Sequence, residues 1–338
     1  MRKPTHTEIC AQIYSKENYV EEYTMQKRKN FMPGLALALA ILLVGTSSVL
    51  AQVQITDCMG CHNDTTVITG KQTGWSESTH GTGESYGRGT SASCAACHSG
   101  GAFSKMVADG LTPDTVEAGD TKPTRQDCRT CHQIHTSYTN ADWALETTEP
   151  VALYAFDEVT YDGGKGNLCA NCNQPRRAIA AADPNGNIAC TSTHWGPHHG
   201  PQSAVLLGIG GAGDVVGTIS PHAMLVKNTC VSCHISENGA HTFEAVEASC
   251  TGCHPDADGF DVDGLQTEVA ALIAELGELL EAAGLYHDGH PVVGDYPAAQ
   301  AAALWNYIML EVEDGSLGVH NPGYTKALLE ASIAAMKE

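Results

Sequence analysis

The chain has 338 residues, with 18 Lys and Arg against 39 Asp and Glu and a formal net charge of −21. So acidic a balance excludes nucleic acid as a partner, because phosphate backbones are gripped by basic surface. It suits a soluble protein that repels its own copies at low salt and meets basic partners electrostatically.

The N-terminus reads as a targeting segment. Lys27, Arg28 and Lys29 precede an apolar stretch from Leu35 to Val44, and Val49-Leu50-Ala51 supplies a small-residue end. This pattern predicts a presequence and signal peptide over residues 1–51, with the true start at Met25 and cleavage after Ala51. The apolar run falls short of the roughly 20 residues of a comfortable membrane span. An uncleaved anchor is the alternative. Export places the mature chain in the periplasm, outside the cell or at its surface. From Gln52 onward there are 12 basic and 35 acidic residues, a balance of −23.

Residues 52–262 hold five copies of C-x-x-C-H and one variant. They are CMGCH (Cys58, Cys61, His62), CAACH (Cys94, Cys97, His98), CRTCH (Cys128, Cys131, His132), CANCN (Cys169, Cys172, Asn173), CVSCH (Cys230, Cys233, His234) and CTGCH (Cys250, Cys253, His254). The pentapeptide is the attachment signal for c-type haem. Two thiols three positions apart each form a thioether to one porphyrin, and the adjacent His ligates the iron from the proximal face. Zinc ribbons also use C-x-x-C pairs, but they take four ligands from two knuckles and do not need His after each second Cys. A disulfide across two intervening residues closes only a tiny, strained loop. The cofactor expected is therefore haem c, five groups on intact motifs and a sixth at Cys169 and Cys172 left open.

First cysteines lie 36, 34, 41, 61 and 20 residues apart, an irregular series rather than a solenoid. With 35 Gly and 6 % aromatic residues, this region has little from which to build a conventional core. Short helical turns at each attachment site, extensive irregular loops and little or no sheet are expected. Residues 263–338 contain no Cys and read as amphipathic helices. The first carries Val269, Leu272, Ile273, Leu276, Leu279 and Leu280 and stops at Gly284. The second runs from Pro297 through Ala303, Leu304, Tyr307, Ile308 and Leu310 to Gly315. The third opens on Asn321-Pro322 and carries Leu328, Leu329, Ile333 and Met336. The fold class is thus mainly α, cored by haem, with a C-terminal helical bundle packed on it as scaffold.

A closed iron needs a second ligand, and the mature chain has ten histidines beyond the five proximal ones. Candidate distal ligands are His80 in WSESTH, His135 in CHQIH, His194 and His198 in HWGPHHGPQ, His222 in SPH, His241 between the last two motifs, and His320 in HNP. One or two of His194, His198 and His199 bind iron in this reading. His287 and His290, flanking a Gly-containing turn, are read as non-ligands.

These residues resemble the multihaem c-type cytochromes. The segments HWGPHHGPQ, SCTGCH after GAHTF, and SLGVHNPGYTKALL are similar to the group around hydroxylamine oxidoreductase, octahaem tetrathionate reductase and the bis-His cytochromes of extracellular filaments. The resemblance implies His241 and His320 as distal ligands, closely stacked haems, and helices that pack on them.

Asn173 is the departure, since Asn is a poor axial ligand. Haem could be retained with an open proximal position, as where cytochrome nitrite reductase has Lys for the motif His; it could have been lost; or the change could be accidental. Arg176 and Arg177 would hold an anion or pair with haem propionates. Cys190 has no assigned role. The function expected is electron transfer through five to six haems. Its partners would be other cytochromes or membrane quinol oxidoreductases, with self-association a further possibility. An oxidoreductase acting on a small nitrogen or sulfur compound, and a protomer of a conductive filament, are the alternatives.

Overall fold

Among the described residues, the cysteine pairs at 94/97, 128/131 and 230/233 sit on short helices. The computed structural model describes residues 66–156, 158–235 and 240–338. The expected presequence and the first attachment segment (Cys58, Cys61, His62) lie outside the described residues.

In chain order the helices are α1 (Thr66–Glu77), α2 (Thr79–Thr82), α3 (Ala92–His98), α4 (Gly100–Ala108), α5 (Cys128–Cys131), α6 (Asn167–Ala170), α7 (Gln202–Leu207), α8 (Pro221–Leu225) and α9 (Cys230–His234). Then come α10 (Leu265–Ala282), α11 (Ala298–Tyr307) and α12 (Pro322–Met336). Caps explain several starts. Asp127 forms a capping box with Thr130 before α5, Ser220 caps α8 ahead of Pro221, and Ser99 accepts from the Ala102 N–H at the start of α4. Segment 250–254 is an exception, following a 3₁₀ turn at Glu247–Ser249 rather than a helix.

Among the described residues, sheet is confined to three two-stranded antiparallel ladders. Strand β1 (Val151–Ala152) pairs with β2 (Thr160–Tyr161), and β4 (Tyr286–His287) with β5 (His290–Pro291). The third joins β3 (Asn187–Cys190) to β6 (Gly294–Pro297), with Ile188 opposite Tyr296. It ties the cysteine-rich part of the chain to the C-terminal helices. Trp195 against Trp305, centroids 5.0 Å apart and edge to face, does the same.

The main core belongs to the three long helices. Val269, Leu276, Leu280, Leu304, Leu328 and Leu329 are fully buried there, each contributing about 1.5–3 kcal/mol on burial. Two smaller apolar clusters lie among the attachment segments, one around Leu153, Tyr161 and Ala204 and one around Phe103 and Met106. That region thus has more protein core than its composition suggests.

The C-terminal expectations match closely, with one addition. After α11 the helix widens into a π-helical turn, Ile308–Asp314, closed by Gly315 in the left-handed region at φ 63. Such widenings cluster at functional sites. This one positions the ligand segment that follows.

Candidate functional site

Among the described residues, every intact C-x-x-C-H segment presents its histidine to a second one from a distant part of the chain. His98 faces His198 with ring centroids 6.3 Å apart, and His132 faces His241 at 6.2 Å. His234 faces His320 at 6.4 Å, and His254 faces His222 at 6.4 Å. A metal–imidazole bond is about 2.0 Å and a ring nitrogen lies roughly 1.1 Å from its ring centre, so two imidazoles on opposite faces of one metal ion have centres about 6.2 Å apart. Four independent pairs fall at that separation.

The outer ring nitrogens give a second test of fit. A metal-bound histidine normally donates its other N–H to a carbonyl or carboxylate, which fixes tautomer and ring orientation. His132 Nδ1 lies 2.8 Å from the Trp143 carbonyl, and His234 Nδ1 lies 2.9 Å from that of Phe243. His222 Nδ1 lies 2.7 Å from the Val319 carbonyl, and His320 Nδ1 lies 2.7 Å from Asp314 Oδ1. His98 is hydrogen-bonded to the backbone of Ser85. Three of the pairs therefore have at least one ring held through Nδ1, which leaves Nε2 as the nitrogen suited to a metal ion. At His98, His132 and His234 two free thiols stand beside the motif histidine, and that donor set fits a covalently held haem with two imidazoles; beside His254 only Cys250 is a free thiol, Cys253 being disulfide-bonded.

Burial favours the neutral, ligating form of several of these rings. It pushes His198 down to about 4, helped by the neighbouring His199, Arg176 and Arg177. Burial also lowers His98 and His222. His320 is opposite in sign: burial disfavours its charged form, but the Asp314 carboxylate and its hydrogen bond outweigh that and raise its pKa.

The loop bearing His198 is strained into place. His198 and His199 have φ of 79° and 46°, conformations that cost side-chain-bearing residues about 1–3 kcal/mol. Glu313 holds the loop, its Oε1 accepting from the His198 N–H at 3.1 Å. A Cβ at Gly196 would come within 2.6 Å of Ile308 Cγ2, so only glycine lets the loop approach this closely. His98 and His198 both line a small cleft, with Cys94, Cys97, Tyr154 and Arg176. Arg176 is placed there for an anionic substituent.

Three other expected ligands stand elsewhere. His80 packs edge-on against Phe243, centroids 4.6 Å apart. His135 stacks on Tyr138 at 5.4 Å, while His194 meets His290 at 5.9 Å on the exposed surface. Among the described residues none of the three is opposite a motif histidine. Asn173 turns back on its own segment, Nδ2 donating to the Cys169 carbonyl at 3.1 Å. The thiols of that segment meet those of its neighbours: Cys172 hydrogen-bonds with Cys97, and Cys169 with Cys230.

The residues that sequence reasoning missed are the orienting ones, Glu313 and Asp314 above all. Nothing in one sequence marks them, because their partners are recruited by tertiary folding.

Residues 44–133 match the family model described as cytochrome c7 and related cytochrome c. That stretch spans the first three C-x-x-C-H segments, and its family implies covalently bound haem c. Among solved structures, the outer cell wall cytochrome OcwA is similar at 20 % identity, with a TM-score of 0.49. The alignment covers 79 % of this chain and 50 % of that one, so the chain spans half the length of that relative. No curated protein matches the chain.

Proposed function

We propose that this chain is an exported multihaem c-type cytochrome whose work is electron transfer, with bis-histidine haems at four described sites. They are Cys94/Cys97 with His98 and His198, Cys128/Cys131 with His132 and His241, Cys230/Cys233 with His234 and His320, and Cys250/Cys253 with His254 and His222. A fifth haem belongs to Cys58, Cys61 and His62. The observation that carries this reading is the set of four imidazole pairs at 6.2–6.4 Å.

Bound haem c supplies reversible one-electron iron chemistry, tuned by axial ligand, hydrogen bonding and burial. The chain's residues do the rest. Each histidine pair would hold the iron and would keep small molecules off it, which suits a carrier rather than a catalyst. Carbonyl and carboxylate acceptors at Nδ1 hold those rings in place. The thiol contacts Cys97–Cys172 and Cys169–Cys230 pack attachment segments against one another. Centres held on such segments are near neighbours. The segments HWGPHHGPQ and SLGVHNPGYTKALL support kinship with the hydroxylamine oxidoreductase and tetrathionate reductase group.

Among the described residues no helix is long and apolar enough to cross a membrane. The acidic balance favours redox partners that present a basic face, other cytochromes or membrane quinol oxidoreductases among them.

A second reading attaches to Asn173 alone. Its carboxamide is spent on the Cys169 carbonyl, so a haem at Cys169 and Cys172 would lack an imidazole from its own segment. Such a centre could bind a small nitrogen or sulfur compound. Intact mass with a haem count on the purified protein tests both readings. Five haems support the carrier and remove the second reading; six keep the Asn173 centre in play; fewer than four contradict the proposal.

A further inference from the structure

One feature of the bis-histidine sites bears on their potentials. At three of them one ring, that of His98, His132 or His222, has a neutral backbone acceptor: Ser85, the Trp143 carbonyl and the Val319 carbonyl in turn. At the fourth, His234 uses the Phe243 carbonyl, but His320 uses Asp314 Oδ1 at 2.7 Å. That carboxylate is 1 % exposed, so water hardly screens it.

Its placement is built rather than incidental. The π-helical turn Ile308–Asp314 delivers Asp314, and Ser316 Oγ donates to Oδ2, leaving Oδ1 for the imidazole. The chain then passes through Leu317 at φ 50 and Gly318 at φ 88 before reaching His320. A leucine in the left-handed region is strained, and the fold accepts that strain where it brings His320 back onto the carboxylate four residues after Ser316.

We propose that Asp314 lowers the reduction potential of the His234/His320 centre. This rests on the electron-transfer reading above. A buried carboxylate on Nδ1–H draws that proton toward itself and gives the ring imidazolate character. The ring becomes a stronger donor to iron. Stronger donation and a nearby negative charge both favour the ferric over the ferrous state. Asp314 is thus a positioning and tuning residue that acts through His320.

The test is a spectroelectrochemical titration of haem-loaded protein, comparing wild type with Asp314→Asn and Ser316→Ala. Asn keeps an acceptor oxygen but removes the charge, so the midpoint of this centre should move up while the other three stay. Ser316→Ala keeps the charge and removes a donor that competes for it, so the same midpoint should move down. His320→Met identifies the centre by converting it to His/Met ligation. Unmoved midpoints in both variants at unchanged haem count overturn the proposal, as does a shift shared by all four centres. If Asp314→Asn fails to load haem, the downward shift in Ser316→Ala decides alone, and its absence counts against the proposal. Failure of the underlying reading looks different: wild type itself would show high-spin iron at these sites.

Discussion

His198, His222, His241 and His320 are the residues on which the account stands. Each lies far in sequence from the motif histidine that it faces; His98 and His198 are 100 positions apart. The proximal half of each site was legible, because C-x-x-C-H is local and its chemistry demands that spacing. Distal ligands were legible only as a pool of candidates, since pairing is decided by tertiary packing. Within HWGPHHGPQ, His198 faces a motif histidine because Glu313 and the glycine approach at Gly196 aim it inward, while His194 stays on the surface. Replacing any one of the four distal histidines with Ala should convert one haem from low-spin to high-spin. The haem count should not change, because two thioethers still hold the porphyrin. His290→Ala, changing a ring that faces no motif histidine, should leave the visible spectrum unaltered. Absorbance and intact mass read both outcomes, and a distal variant that stays fully low-spin would remove that residue from the ligand set.

At the scale of elements, the C-terminal helices do more than scaffold. The segment between α11 and α12 supplies Glu313 to the His198 loop, Asp314 and His320 to one centre, and the Val319 carbonyl to His222. Three of the four distal ligands thus depend on it, and only His241 does not. The helices themselves were readable from apolar spacing, as was the Asn321 cap, whose side chain accepts from the Tyr324 N–H. The π-turn was not. Its width answers to what packs around it, and one sequence holds no signal for it. Leu328→Ala, in a position fully buried between the helices, should cost about 2–5 kcal/mol. In thermal melts followed by haem absorbance, the centres at His320, His222 and His198 should lose distal ligation before the His132/His241 centre. Simultaneous loss at all four would show that the bundle does not act on them selectively.

For the molecule as a whole, the expected division near residues 262 and 263 is crossed by the β3–β6 ladder and by Trp195 on Trp305. The attachment segments and the helices are therefore fastened together, as they must be if ligands for one come from the other. The fold class was readable because glycine-rich loops and few aromatics leave a chain little choice but short turns around a non-protein core. The small apolar clusters among the attachment segments were not, since Leu153, Tyr161 and Ala204 meet only after folding. Geometry adds a detail at this scale. The paired rings are crossed at 70° and 77° for His98/His198 and His222/His254, but at 32° and 44° for His132/His241 and His234/His320. Planes crossed near a right angle leave the two π-type d orbitals of low-spin ferric iron close in energy, whereas planes nearer parallel split them. Electron paramagnetic resonance of the fully oxidised, haem-loaded protein therefore tests the central claim most directly. The account predicts at least four low-spin ferric centres per chain, two of highly anisotropic type and two rhombic. High-spin signals from any of the four paired sites would contradict it.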